Sequence, residues 1–360
     1  VRSIQPYRTD DDLSLERTTT RRKWASLWRD PPWVSMVVVF LVIIGFFAES
    51  LTSPRTIPAT EDSQHLKPIL GLGALDGKGM WVAHAPSQIV FRDSAANEIR
   101  EPLSLVNERV QTIDISPETG MGLMTDQRTG SAWLVNGTLE PLTPPRGHAG
   151  PLPTSSGYLS LSRNGEVGVI CTPEGFVDIV RPATKSYESH AFLTVRGITN
   201  VAVNPSGQTL AVADARGTIY WFDLVSHQIL GWMSRIKGRI FCLEWSRDGE
   251  WLFAGSERGS LAVFDGITRT MVAEQSLGPS GILAICWMEQ ESAVAAGTVE
   301  GYVSLLDVPN LAIRAECQPH RAVIRALAVD DEGTLWSGAT DGRVMRTRLV
   351  NDRFTDSQEL

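Results

Sequence analysis

The sequence predicts an all-β protein of seven repeated four-stranded units, preceded by one apolar helix. Three observations predict it. A period of about 42 residues runs through most of the 360-residue chain. Within each period, short runs of β-branched and aromatic residues are broken by Asn, Asp or Ser followed by Gly, the residues of tight turns. A single uncharged stretch near the N-terminus, Trp33 to Ala48, has no counterpart elsewhere.

That stretch reads WVSMVVVFLVIIGFFA, and extending it to Leu51 gives 19 residues. At a rise of about 1.5 Å per residue it would span roughly 28 Å, close to the ~30 Å of a bilayer's hydrocarbon core. Pro31 and Pro32 stand where a helix could begin, Pro54 lies past its end, and Trp24, Trp28 and Trp33 cluster on its N-terminal side. Arg2, Arg8, Arg17, Arg21, Arg22, Lys23 and Arg29 precede it, and only Arg55 and Lys67 follow closely. The positive-inside rule then puts the N-terminus in the cytoplasm. A cleaved signal peptide fits less well, because about thirty residues precede the apolar run and Ala48-Glu49-Ser50 is a poor cleavage site. The expected organisation is a cytoplasmic tail over 1–32, a transmembrane helix over 33–51, a linker over 52–65 and the repeat domain over 66–360. The expected location is a bacterial inner membrane, single-pass, with the repeats in the periplasm.

The clearest copies of the repeat are ITNVAVNPSGQTLAVADARGTIYWFD from Ile198, IFCLEWSRDGEWLFAGSERGSLAVFD from Ile240 and ILAICWMEQESAVAAGTVEGYVSLLD from Ile282. A fourth starts at Ile324. The first turn ends at Gly120, Gly165, Gly207, Gly249, Glu291 and Gly333, in steps of 45, 42, 42, 42 and 42. The second turn carries Gly130, Gly175, Gly217, Gly259, Gly301 and Gly342. Gly79 and Ser87 lie about one period earlier, which brings the count to seven units. A four-stranded sheet cannot bury both faces alone; packing against identical neighbours and closing a ring solves this. Closure could use Asn351 to Leu360 alone as the last outer strand, or Arg55 to Ala59 from the other end.

The S-x-D-G-like first turns, the small-x-acidic-Gly second turns and the strand-ending Asp223, Asp265 and Asp307 resemble the WD40 repeat family, from about Leu66 to Leu360. Gly147-His148 matches that family's Gly-His dipeptide, with a looser Pro319-His320 before the last unit. The resemblance implies a seven-bladed WD40-like β-propeller. It also places His320, Ser337 and Asp341 where the family has a buried His–Ser/Thr–Asp network, without its Trp partner.

Chemistry-bearing motifs are sparse. With 33 basic and 41 acidic residues the net charge is −8, against the basic surface that a nucleic-acid partner demands. The six histidines stand in no metal-ligand spacing, and Cys171, Cys242, Cys286 and Cys317 form no CxxC pair. The first three cysteines lie in apolar strand text and read as packing thiols, with a disulfide to Cys317 the alternative. Asp223, Asp265 and Asp307 recur with the period, which marks structure. There is no phosphate-binding glycine loop and no G-x-S-x-G elbow. No catalytic residue, cofactor or metal is therefore expected. The candidate site is a partner-binding rim: Arg216, Arg258, Glu300 and Asp341 share one second-turn position, and their charge switches sign from repeat to repeat.

The function expected is that of a non-enzymatic, membrane-anchored interaction scaffold or accessory subunit, inserted through Trp33–Leu51 and binding membrane or periplasmic proteins. The alternatives are a propeller enzyme, either a periplasmic dehydrogenase or a lactonase, and the extracytoplasmic part of a phosphate-type ABC transporter permease.

Overall fold

The computed structural model describes residues 67–359, apart from 76–78, 86–87, 93–97, 99–101, 105–109, 127–131, 136–138, 143–157, 194, 235 and 356. The described chain is almost entirely β-strand. The first sheet holds β1 (Ile69–Leu75), β2 (Gly79–His84), β3 (Gln88–Arg92) and β4 (Leu103–Ser104); the second holds β5 (Val110–Ile115), β6 (Gly122–Asp126), β7 (Ala132–Val135) and β8 (Leu139–Pro141). The third has β9 (Tyr158–Leu161), β10 (Gly168–Cys171), β11 (Phe176–Arg181) and β12 (Ser186–Phe192). In the fourth come β13 (Ile198–Val203), β14 (Thr209–Asp214), β15 (Thr218–Asp223) and β16 (Gln228–Ser234). The fifth has β17 (Ile240–Trp245), β18 (Trp251–Ser256), β19 (Ser260–Asp265) and β20 (Met271–Ser276). In the sixth are β21 (Ile282–Met288), β22 (Ala293–Thr298), β23 (Val303–Asp307) and β24 (Ile313–Cys317). The last sheet begins with β25 (Ile324–Val329), β26 (Leu335–Ala339) and β27 (Val344–Thr347). A small hairpin follows, β28 (Leu349–Val350) with β29 (Arg353–Phe354), before β30 (Gln358–Glu359) pairs with β27.

All pairing is antiparallel, and the first strand of each sheet lies against the first strand of the next. β1 also lies against β25, so the first strands circle a common axis. Burial explains the strand chemistry. The second strands are covered on both faces: β18 and β22 are almost wholly buried, and they read WLFAGS and AVAAGT rather than alternating. The outermost strand β20, MVAEQS, alternates between half-buried and exposed. Large rings fill the wedges between sheets. Trp221 meets Phe264 edge-on at 5.8 Å, and Phe253 stacks on Trp287 at 5.5 Å.

Turn chemistry sets the period. Asn204 Oδ1 accepts the amides of Gln208 and Thr209, both at 2.9 Å, and holds the first turn of its sheet. Asp223 Oδ1 accepts those of Val225 and Ser226, both at 2.8 Å, and Asp265 does the same for Ile267 and Thr268. The recurring aspartates therefore cap the turn before the outer strand, and those amide bonds hold both carboxyls below the usual carboxylate range. Gly217 is needed twice over. Its φ is +81°, and a Cβ there would strike the carbonyl of Ile236.

Two expectations are corrected. Among the described residues the fold is all-β and no helix is long and apolar enough to cross a membrane, which corrects the expected fold class; segment 33–51 itself lies outside the described residues. The array of seven equivalent blades is also corrected. Six of the sheets use four strands consecutive in sequence, whereas the last is interrupted by the β28–β29 hairpin and ends on the two-residue β30. Residues 55–59 are outside the described residues, and the fourth strand of the last sheet comes from the C-terminal end.

Candidate functional site

Because each sheet is an antiparallel meander, the turns between first and second strands emerge at one end of the ring and those between second and third strands at the other. The expected rim lies at the latter end. Arg216, Arg258 and Glu300 are exposed on the β14–β15, β18–β19 and β22–β23 turns. Neither arginine forms an ion pair among the described residues. Asp341 differs. It is half-exposed, its Oδ1 accepts the Arg343 amide at 3.1 Å, and it lies 3.7 Å from Nδ1 of the buried His320. His320 Nε2 is 2.9 Å from Ser337 Oγ, so these three residues form a structural bracket. Burial holds the His320 imidazole below its ordinary pKa, with Asp341 opposing the shift. Asp341 thus serves its own sheet first.

The cavity opens at the opposite end. It has a volume of about 460 Å³, and its walls are the first strands and the turns that follow them. Register shows how the wall is built. Gly73, Asp114, Ser160, Ala202, Glu244, Cys286 and Ala328 each pair with the equivalent residue of the second strand in their own sheet. Five of these seven are small, which leaves open space along the axis. Asp114 and Glu244 alone carry a carboxylate there.

At this position a side chain bridges to the next sheet. Asp114 Oδ2 accepts the Leu161 amide at 2.8 Å, and Ser160 Oγ accepts the Val203 amide at 3.0 Å. The Cys286 thiol instead donates to the neighbouring Trp287 carbonyl at 3.7 Å. Glu244 breaks the pattern: it has no hydrogen-bond partner among the described residues. Burial pushes its pKa up to about 8; the nearby Asp114 adds to the rise and Arg163 opposes it. Burial likewise lifts Asp114 to about 6, against the bonds from Leu161 and Ile115. Both carboxyls are half-buried, their remaining exposure facing the channel.

The mouth is charged. Arg163 pairs with Glu118 at 3.2 Å, Arg247 with Glu289 at 3.2 Å and Glu291 with Arg314 at 2.8 Å, and Asp330 Oδ2 accepts the indole N–H of Trp336 at 2.9 Å. Cys171, Cys242 and Cys286 are buried free thiols, Cys317 is a half-buried free thiol, and burial raises the pKa of all four. Among the described residues, no group of three or more His, Cys, Asp or Glu is placed to hold a metal.

The channel was missed in the sequence. The signal existed in the repeat alignment, where Asp114 and Glu244 stand in register with Gly, Ala, Ser and Cys.

Residues 233–265 match the family described as WD domain, G-beta repeat. The all-β ring and this match support a propeller of the WD40 type. The chain is similar to WD repeat-containing protein SL1-17 of Schistosoma mansoni, 21% identical over 156 residues, covering 43% of this chain and 52% of that protein. It is also similar to U3 small nucleolar RNA-associated protein 4 homolog of Mus musculus, 27% identical over 166 residues, covering 40% of this chain and 24% of that protein. The matches thus span about half of one relative and about a quarter of the other. Both relatives are eukaryotic. Together with the absence of a spanning helix among the described residues, they overturn the expected placement on a bacterial inner membrane.

Proposed function

We propose that this propeller is a non-enzymatic scaffold that binds protein partners through the charged side chains of its exposed turns. One observation carries the reading. Arg216, Arg258 and Glu300 occupy the same exposed position on successive sheets whose backbones superpose in register, yet their charges differ. A position with a structural duty keeps one chemistry, as Gly217, Gly259 and Gly301 do one residue later. Variation on a constant frame suits a surface shaped to a partner. The mouse relative is described as associated with a small nucleolar RNA; for this chain the net charge of −8 favours a protein partner over a nucleic acid.

The test is to reverse Arg216→Glu and Arg258→Glu together in the full chain. Thermal stability should change little, because both side chains are exposed and form no ion pair among the described residues. A partner co-purifying with the wild type should be lost, or held only at lower salt. Retention of every partner by the double variant would remove this rim from the interaction.

A further inference from the structure

We propose that the outer edge of the fourth sheet, strand β16, pairs antiparallel with the same strand of a second copy of this chain, joining two rings into a dimer about a twofold axis at Trp232. The inference does not rest on the scaffold reading and uses neither Arg216 nor Arg258. Three observations carry it.

The first is exposure. Val225, Ile229, Leu230 and Trp232 are four of the ten large hydrophobic side chains exposed among the described residues, and they fall close together in the sequence. Trp232 is 67% exposed. The second is the edge itself. Within its sheet β16 is bonded on one side only, to β15, which leaves its other row of amides and carbonyls open to a further strand. Charge is the usual guard of such an edge. The outer strands β12, β20 and β24 read SYESHAF, MVAEQS and IRAEC, each with a glutamate, whereas β16 reads QILGWMS and carries no charge. Register sharpens the contrast. Glu274 opposes Ala262 and Glu316 opposes Ser304 in the next two sheets, and Trp232 opposes Tyr220 at the same place in this one. Both glutamates are exposed; Glu316 accepts from Ser304 Oγ at 2.8 Å and Glu274 from Ser260 Oγ. A position that holds an acid on two edges thus holds an indole on the third. The third observation is Gly231. A Cβ there would meet nothing within 4 Å, and a glycine inside a strand often marks the close approach of another backbone.

These features fit a second copy better than a foreign strand. In an antiparallel pair about a twofold axis each residue meets its own counterpart or a near neighbour, so a charge on the edge would face its like. Pairing through β20 or β24 would bring glutamates together, in a chain whose net charge of −8 already opposes association. The uncharged β16 escapes that repulsion. Centred on Trp232, the pairing sets the two indoles side by side and places each Gly231 across from a Met233, small against long. The two four-stranded sheets become one continuous sheet. A seven-residue edge is about 24 Å long, so the interface is small and its Kd is on the order of 10 µM. The dimer would present its exposed turns twice, and so hold a two-site partner more tightly than one ring can.

The test is sedimentation velocity of the full chain from about 1 to 100 µM, a range that brackets the expected Kd. The wild type should pass reversibly from monomer to dimer. Trp232→Glu, which restores the acid found at this place on β20 and β24, should weaken the dimer by about tenfold or more and leave the urea midpoint unchanged. Val272→Glu, which puts the same charge on the exposed edge of β20, should dimerise as the wild type does. An equimolar mixture of Trp232→Glu and Trp232→Lys, each monomeric alone, should recover the dimer, because the axis brings the two positions together. A wild type that stays monomeric would overturn the proposal, as would association indifferent to Trp232→Glu, equal weakening by Val272→Glu, or a mixture that stays monomeric. A monomeric chain that co-purifies with a partner released by Trp232→Glu would give the edge to a foreign strand and overturn it too. The double variant Arg216→Glu, Arg258→Glu should dimerise normally, so the scaffold reading and this one fail separately.

Discussion

Replacing Glu244 by Gln should make the protein more stable, and increasingly so as pH rises. The Glu244 carboxyl has an ordinary pKa of 4.5 and one of about 8 in the fold. Between those values the folded chain holds a proton that the unfolded chain has released. Stability from this group is therefore fully present below pH 4.5 and is lost as pH rises through about 8. From pH 6 to its folded pKa the loss is about 2 units, and each unit is worth about 1.4 kcal/mol, or nearly 3 kcal/mol in all. The channel is open to water, which screens the charge, so about 1–2 kcal/mol is the expected change. Glutamine keeps the size and removes the titration. The advantage of Glu244→Gln over the wild type, read from urea midpoints by tryptophan fluorescence, should grow by that amount between pH 6 and pH 9. Asp114, raised to about 6, titrates in both proteins and largely cancels in the difference. Parallel pH curves for the two proteins would show that Glu244 is not held in a protein-enclosed site, and the account of the channel wall would fall with it.

Two further outcomes test the packing. Trp221→Ala removes a fully buried ring that meets Phe264 between the fourth and fifth sheets, and should lower stability by about 3–5 kcal/mol in the same urea assay. Gly217→Ala places a Cβ at positive φ against the Ile236 carbonyl; it should cost at least about 1 kcal/mol, and a neutral result would mean that this turn is not seated on the connection after β16.

Much of the ring was legible because its determinants are local. A turn needs Asn, Asp or Ser followed by a glycine, so Asn204–Gly207 and Ser246–Gly249 announce themselves without knowledge of their neighbours. A strand covered on both faces needs small or apolar residues throughout, and β22 shows that as AVAAGT. The recurrence of Asp223 and Asp265 was correctly a sign of structure, and hydrogen bonds to the following amides supply the reason. The rim positions were also legible, since their spacing alone puts Arg216, Arg258 and Glu300 on equivalent turns.

What only the tertiary structure decided depends on residues far apart in the chain. That Asp114 and Glu244 face one channel follows from closing the ring, which brings β5 and β17 to a common axis although 130 positions separate the two carboxyls. Their raised pKa values follow from that enclosure and have no local signature. Asp341 was legible both as a rim position and, through the family resemblance, as a neighbour of His320, 21 positions earlier; the fold fixes the distance between them, 3.7 Å from Oδ1 to Nδ1. The last sheet takes its fourth strand from Gln358–Glu359 across an intervening hairpin, a choice set by which edge of β27 was left open. A repeat specifies its own turns and strands through short-range hydrogen bonding and burial; what stands in the middle of the ring is specified by all the repeats at once.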